Sequence, residues 1–142
     1  MALVKPFRAL RYDVAAAGPL DDLVAPPYDV ITPEVRERLL AASDHNVVRL
    51  IRPDQPEEAG RAFRDWRERG ILARDPRPAL WLLEEEFVGL DGVARTRHGI
   101  VGRVRLHPYA DGVVLPHERT FPGPKRARLR LLRAVRAKLS PL

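Results

Sequence analysis

Pro56-Glu57-Glu58-Ala59-Gly60-Arg61-Ala62-Phe63-Arg64-Asp65-Trp66-Arg67-Glu68-Arg69-Gly70 is the stretch on which the fold turns. Ala59, Ala62, Phe63 and Trp66 recur at i, i+3, i+4 and i+7, the spacing that lays apolar groups along one side of an α-helix. Pro56 suits the first helical position, where its missing N–H is no loss, and Gly70 suits the stop beyond the last turn. The next apolar segments, Ala79 to Val88 and Val93 to Leu106, read instead as strands joined by Leu90-Asp91-Gly92. An Asp-Gly pair supplies the positive φ of a tight hairpin. A helix followed by a hairpin sets the class as α+β.

Working outward, Leu3 to Tyr12 alternates loosely and predicts a strand, with Pro6 tolerated near an edge. Ala15 to Pro19 breaks it. Ala25-Pro26-Pro27-Tyr28-Asp29-Val30 is a stiff extended turn, because each proline fixes its own φ and restricts its predecessor. Thr32-Pro33 opens a short helix carrying Val35, Leu39 and Leu40 inward and ending by Ser43-Asp44. Val47 to Ile51 is rich in β-branched residues and predicts a strand. A loop from His107 to Pro124 leads to a last helix, from about Pro124 to Leu139. The order β-α-β-α-β-β-α predicts one domain over residues 1–142, a mixed β-sheet with about three packed helices.

Composition narrows the function. The 142 residues contain no cysteine, which excludes a disulfide scaffold and a thiol nucleophile and fits a cytoplasmic location. The longest apolar run is Ala79–Leu83, far short of the ~18 residues of a membrane span. No signal-peptide pattern opens the chain. Net charge is +6, unevenly spread: residues 117–142 hold eight basic side chains against Glu118 alone, and the rest holds 17 basic against 18 acidic. The positive excess predicts an anionic partner at the C-terminal end.

The candidate chemistry lies there too. His117-Glu118-Arg119-Thr120 is followed by Phe121-Pro122-Gly123-Pro124 and by Lys125 and Arg128 on the predicted helix. Helix N-termini favour anions, Arg128 offers a planar fork for two phosphate oxygens, and Lys125 adds a point charge. Glu118 suits a general base for a substrate hydroxyl, with His117 orienting it and Thr120 helping at the helix start. The plainer alternative pairs Glu118 with a neighbouring arginine on a solvated loop. Tyr28 and Asp29, held by the rigid Pro-Pro turn, are further candidates for the cleft.

Other features carry less. Asp91-Gly92 and Asp111-Gly112 read as turns, the four histidines lie at no zinc spacing, and Glu84-Glu85-Glu86 sends its side chains to opposite strand faces; no metal site is assigned. Trp66 and Trp81 read as core. On the last helix, Ala127, Leu131, Leu132, Val135 and Leu139 form an apolar stripe, and Arg126, Arg130 and Arg133 a basic row. That row suits a solvated face, nucleic-acid backbone or an acidic protein. Phe121 is the only aromatic in the last 26 residues, which argues against base stacking.

Several motifs together resemble a known family. They are Lys5-Pro6-Phe7-Arg8-Ala9-Leu10-Arg11, Ala25-Pro26-Pro27-Tyr28-Asp29-Val30-Ile31, Asn46 ahead of Ile51-Arg52-Pro53, and His117-Glu118 with Thr120, Lys125, Arg128, Leu129, Leu131, Leu132, Ala134, Ala137 and Ser140-Pro141. The chain is similar to the N-terminal part of the domain-of-unknown-function 1015 family over nearly its whole length. That family resembles, distantly, free-serine kinases of the ParB/sulfiredoxin-like superfamily. There a Pro-His-Glu segment supplies the catalytic glutamate and an Asp-Gly-His-His-Arg segment binds phosphate. Pro116-His117-Glu118 matches the first, so the resemblance assigns Glu118 the base role.

The chain departs from the family at Ala127, where relatives carry Asp, at Lys138, where they carry Asn, and in having no Asp-Gly-His-His-Arg. The resemblance therefore implies an incomplete portion of a larger fold, with the apolar stripe of the last helix uncovered and little turnover alone. The reading is the N-terminal segment of a phosphotransferase-like protein acting on a small hydroxylated molecule, free serine among the candidates. ATP, ADP or pyrophosphate would be the donor, with magnesium an open question. The rival is a non-catalytic basic module using Arg126, Arg130, Arg133 and Arg136 on nucleic acid or an acidic partner. A third reading has the chain associating through its exposed C-terminal helix.

Overall fold

The structure, a computed structural model, describes residues 1–116 and 121–139. In chain order its elements are β1 (Val4–Lys5), β2 (Leu10–Tyr12), α1 (Val14–Ala17), α2 (Leu20–Leu23), α3 (Pro33–Ala42), α4 (Val48–Ile51) and α5 (Pro56–Glu68), then β3 (Leu72–Arg74), β4 (Trp81–Val88), β5 (Ala94–Val101), β6 (Arg103–Val104) and α6 (Pro122–Val135). The class is α+β. Among the described residues the strands form three two-stranded ladders, β1–β6, β2–β3 and β4–β5, in place of the expected mixed sheet. Two compact units divide the chain: Met1–Ala9 with Arg74–Arg119, and Leu10–Ala73 with Thr120–Leu142.

In the first unit, β4 and β5 pair antiparallel from Trp81↔Val101 to Val88↔Ala94. Their turn is the expected one: Gly92 has φ +76°, and its N–H donates to the Gly89 carbonyl at 2.9 Å. Asp91 accepts from Arg95 through both carboxylate oxygens at 2.7 and 2.6 Å. Across the ladder Glu84 meets His98 at 2.8 Å and Glu85 meets Arg97 at 2.7 Å, on opposite faces as alternation requires.

The Arg95 guanidinium, helped by the Val93 N–H, pulls the Asp91 carboxyl down to about 2 from its ordinary 3.8. A depressed carboxyl supports the hairpin above its unfolded value of 3.8, and that support is lost as pH falls through about 2. Arg95→Gln is expected to return the Asp91 titration to the ordinary carboxylate range. Carbon NMR of the side-chain carboxyl reads this directly, and an unmoved midpoint would refute the pairing.

The predicted first strand is divided at Pro6. Residues before it join β6, as Val4↔Val104 and Lys5↔Arg103, while Leu10–Tyr12 pairs with β3. A proline cannot donate to a ladder, so the partner changes there. The predicted strand over Val93–Leu106 likewise changes partner at Gly102, between β5 and β6.

The second unit is mainly helical. Thr32 caps α3, its hydroxyl accepting from the Val35 N–H at 3.3 Å, with Pro33 in the first turn. α5 buries Ala59, Phe63 and Trp66 as its spacing predicts, against Leu23, Leu50, Ile71, Leu72 and Val135. The Trp66 ring sits 6.0 Å from Tyr12 and meets His45 edge-on at 5.7 Å. The Tyr12 hydroxyl donates to the His45 carbonyl at 2.7 Å, and burial pushes its pKa up. The last helix stops at Val135, short of the expected Leu139; Leu131 and Val135 on it and Leu139 beyond it join this core, while Leu132 is exposed.

The expected strand over Val47–Ile51 is a correction: Val48–Ile51 is one helical turn, α4. Asn46 starts it. Its Oδ1 accepts from the Val48 N–H at 2.9 Å, while its Nδ2 donates to the carbonyls of Asp22 at 2.8 Å and Val24 at 2.9 Å. Val48 and Leu50 are both buried, so a turn enclosed on two sides mimics the alternation of a strand.

Where α5 crosses α6, Gly60 is required. A Cβ there would stand 2.7 Å from the Ala134 carbonyl oxygen, and that obstacle is backbone. Gly60 thus brings the two helix backbones together and with them the side chains on either flank.

Candidate anion-binding site on the last helix

α6 begins at Pro122, two residues before the expected start, with Phe121 as its N-cap and no side-chain cap. The difference changes the chemistry. Pro122 and Pro124 carry no N–H, and the Lys125 N–H already donates to the Phe121 carbonyl at 3.3 Å. Among the described residues only Gly123 of the first turn keeps an N–H without a backbone partner, so the backbone contributes little to holding an anion there. The side chains must do it.

Two of the predicted residues come together. The Arg128 Nη2 donates to the Tyr28 hydroxyl at 3.0 Å, and the guanidinium lies 5.0 Å from the Tyr28 ring centroid. One hundred residues separate them in sequence. Tyr28 is half-buried in a turn closed by Val30 N–H to Pro27 carbonyl at 3.1 Å, which the two prolines stiffen. The ring and hydroxyl hold the guanidinium by a cation–π contact and one hydrogen bond, and among the described residues its other N–H groups have no partner.

Lys125 is exposed and lies one turn ahead of Arg128, on the same side of α6 by helical spacing. Asp29 occupies the same turn as Tyr28 and is exposed. His117, Glu118 and Thr120 lie outside the described residues.

Several arginines outside α6 are ion-paired: Arg36 with Asp54 at 2.8 Å, Arg49 with Asp44 at 3.1 Å, Arg69 with Asp65 at 3.1 Å, besides Arg95 and Arg97 on the hairpin. Among the described residues no carboxylate is ion-paired with Lys125, Arg126, Arg128, Arg130 or Arg133. Arg136 stands apart from that row, in the left-handed conformation (φ +58°) that ends the helix. Asp91 and Asp111 sit in turns, and among the described residues no group of three acidic or histidine side chains is gathered for a metal.

The sequence did not disclose a second cationic locus. Arg61 and Arg64 of α5 line a groove of about 580 Å³ together with Glu57 and with Arg130, Arg133 and Ala134 of α6. The spacing was visible on each helix, yet only the Gly60–Ala134 crossing tells which flanks meet.

The family model described as "Protein of unknown function (DUF1015)" matches residues 4–142. The chain belongs to the domain-of-unknown-function 1015 family. Comparison with curated proteins and with solved structures returns no match. Family membership thus agrees with the motifs that carry Tyr28, Asn46 and Arg128, and leaves activity to be argued from the residues themselves. No helix among the described residues is long and apolar enough to cross a membrane.

Proposed function

We propose that this member of the domain-of-unknown-function 1015 family is the phosphate-gripping portion of a phosphotransferase-like protein acting on a small hydroxylated molecule, free serine among the candidates. The observation that carries the reading is the Tyr28–Arg128 pair: a guanidinium fixed by an aromatic hydroxyl and matched by no carboxylate among the described residues. A fixed, unneutralised fork is what a phosphate requires, because two parallel N–H···O bonds give both strength and orientation. Lys125 adds charge one turn away, and Thr120, two residues ahead of α6 in sequence, is read as a further hydroxyl. In this reading Glu118 removes the proton from the substrate hydroxyl, the role that the kinase resemblance assigns it, and His117 beside it in sequence orients it. ATP, ADP or pyrophosphate supplies the phosphoryl group.

Arg128→Gln is expected to weaken O-phosphoserine binding by roughly tenfold or more, the range for a charged hydrogen-bonding partner. Arg128→Lys should recover only part of it, since an ammonium keeps the charge and loses the fork. Titration calorimetry on the whole chain reads both. Equal affinity in wild type and Arg128→Gln would end the reading. A serine phosphorylation assay with the three donors, run with Glu118→Gln on a longer relative carrying Asp-Gly-His-His-Arg, tests the base; an unchanged rate there would remove Glu118 from the chemistry.

A further inference from the structure

The arginines of the α5–α6 groove are the strongest unexplained feature of the second unit. Arg61 and Arg64 come from one helix and Arg130 and Arg133 from the next, and Glu57 is the only acidic side chain lining the same 580 Å³. The lining carries a formal +3 from these five groups. Four like charges on one lining repel one another, the more so the closer they stand. The close approach at Gly60 and Ala134 enforces this gathering, since Gly60 lets the backbones approach where any side chain would hold them apart. None of the four arginines has a hydrogen-bonded carboxylate among the described residues, unlike Arg36, Arg49, Arg95 and Arg97.

We propose that the α5–α6 groove, through Arg61, Arg64, Arg130 and Arg133, binds an anion carrying two or more linked phosphate groups. Four arginines lining one groove from two helices suit several phosphates close together, each taken by paired N–H donors. A diphosphate or triphosphate carries three to four negative charges near neutral pH, which complements the lining. The groove has no aromatic side chain among its lining residues, so nothing there stacks a base. Recognition is of the oligophosphate itself, whether free or as the tail of a nucleotide. The assignment uses other residues than Tyr28 and Arg128 and stands whether or not the chain transfers a phosphoryl group.

The test is titration calorimetry of the whole chain at 0.15 M salt with orthophosphate, pyrophosphate, tripolyphosphate and ADP, for wild type, Arg64→Gln, Arg133→Gln and, as control, Arg38→Gln. Glutamine keeps helix propensity, and circular dichroism checks that each variant folds. Expected are one-to-one binding of pyrophosphate at least tenfold tighter than orthophosphate, and a tenfold or greater loss in both Arg64→Gln and Arg133→Gln. Arg64→Lys should lose less than Arg64→Gln. Arg38→Gln, on the exposed side of α3 and away from both sets of residues, should change pyrophosphate affinity less than twofold, which separates the groove from a general loss of positive charge. ADP binding equal to pyrophosphate marks a nucleotide tail as an accepted source, and pyrophosphate binding without ADP marks the free anion; either supports the groove. Equal affinity for orthophosphate and pyrophosphate, or retention of binding in both groove variants, overturns the proposal. So does a DNA or RNA oligonucleotide that binds through these arginines more tightly than tripolyphosphate with a steep salt dependence, which assigns the groove to nucleic-acid backbone.

Discussion

Asn46→Asp is expected to destabilise the second unit by about 3–5 kcal/mol at pH 8, the range for an uncompensated buried charge. Asn46 is 0% exposed, and all of its polar capacity but one lone-pair position is used: two N–H donors face the Asp22 and Val24 carbonyls, and Oδ1 faces the Val48 N–H. The substitution preserves shape and replaces the donors by an oxygen pointing at two carbonyl oxygens. Burial and those carbonyls both favour the neutral form, so the introduced carboxyl has a raised pKa in the folded state. The sign follows. Below the unfolded value of about 3.9 the group is protonated in both states, and the penalty is smallest. As pH rises the unfolded state sheds the proton first, and stability falls by about 1.4 kcal/mol per unit until the raised folded value is passed. The variant's melting temperature should therefore lie closest to wild type at pH 4 and furthest from it at pH 8. A gap that does not widen with pH would show that Asn46 is not clamped between the two carbonyls.

Asn46 also shows why one element escaped the sequence. Val47 to Ile51 carries the β-branched residues and alternation that predict a strand, yet it forms a helical turn because one side chain fixes the chain on both sides of it. That information lies in Asp22 and Val24, more than twenty residues away, and no local pattern contains it. The helix carrying Trp66 was legible because its apolar spacing is long enough to average over such accidents, as was the Asp91-Gly92 turn because φ +76° requires glycine. The candidate site divides similarly. Arg128 was legible as a phosphate fork from its charge and position, and Tyr28 from the stiff prolines before it. Their meeting across one hundred residues was not, and neither was the alignment of Arg61 and Arg64 with Arg130 and Arg133.

Gly60→Val is expected to cost about 3 kcal/mol of stability or more, the upper range for overpacking plus the lower helix propensity of a β-branched residue. In an isolated α5 peptide the smaller change, Gly60→Ala, should raise helicity, because alanine gains about 1 kcal/mol over glycine in a helix interior. In the folded chain the sign should reverse. The added Cβ would lie 2.7 Å from the Ala134 carbonyl oxygen, and a helix backbone cannot swing aside as a side-chain tip can. α5 and α6 must then part along the crossing that buries Ala59 and Val135. Parting them also spreads the arginine pairs on either side of that crossing, so pyrophosphate affinity should fall in Gly60→Ala although no arginine is altered. Thermal unfolding of the whole chain, circular dichroism of the peptide and calorimetry together read the three effects. A Gly60→Ala chain that melts higher than wild type and binds pyrophosphate as tightly would mean that the two helices do not touch at Gly60, and the convergence of the four arginines would lose its structural cause.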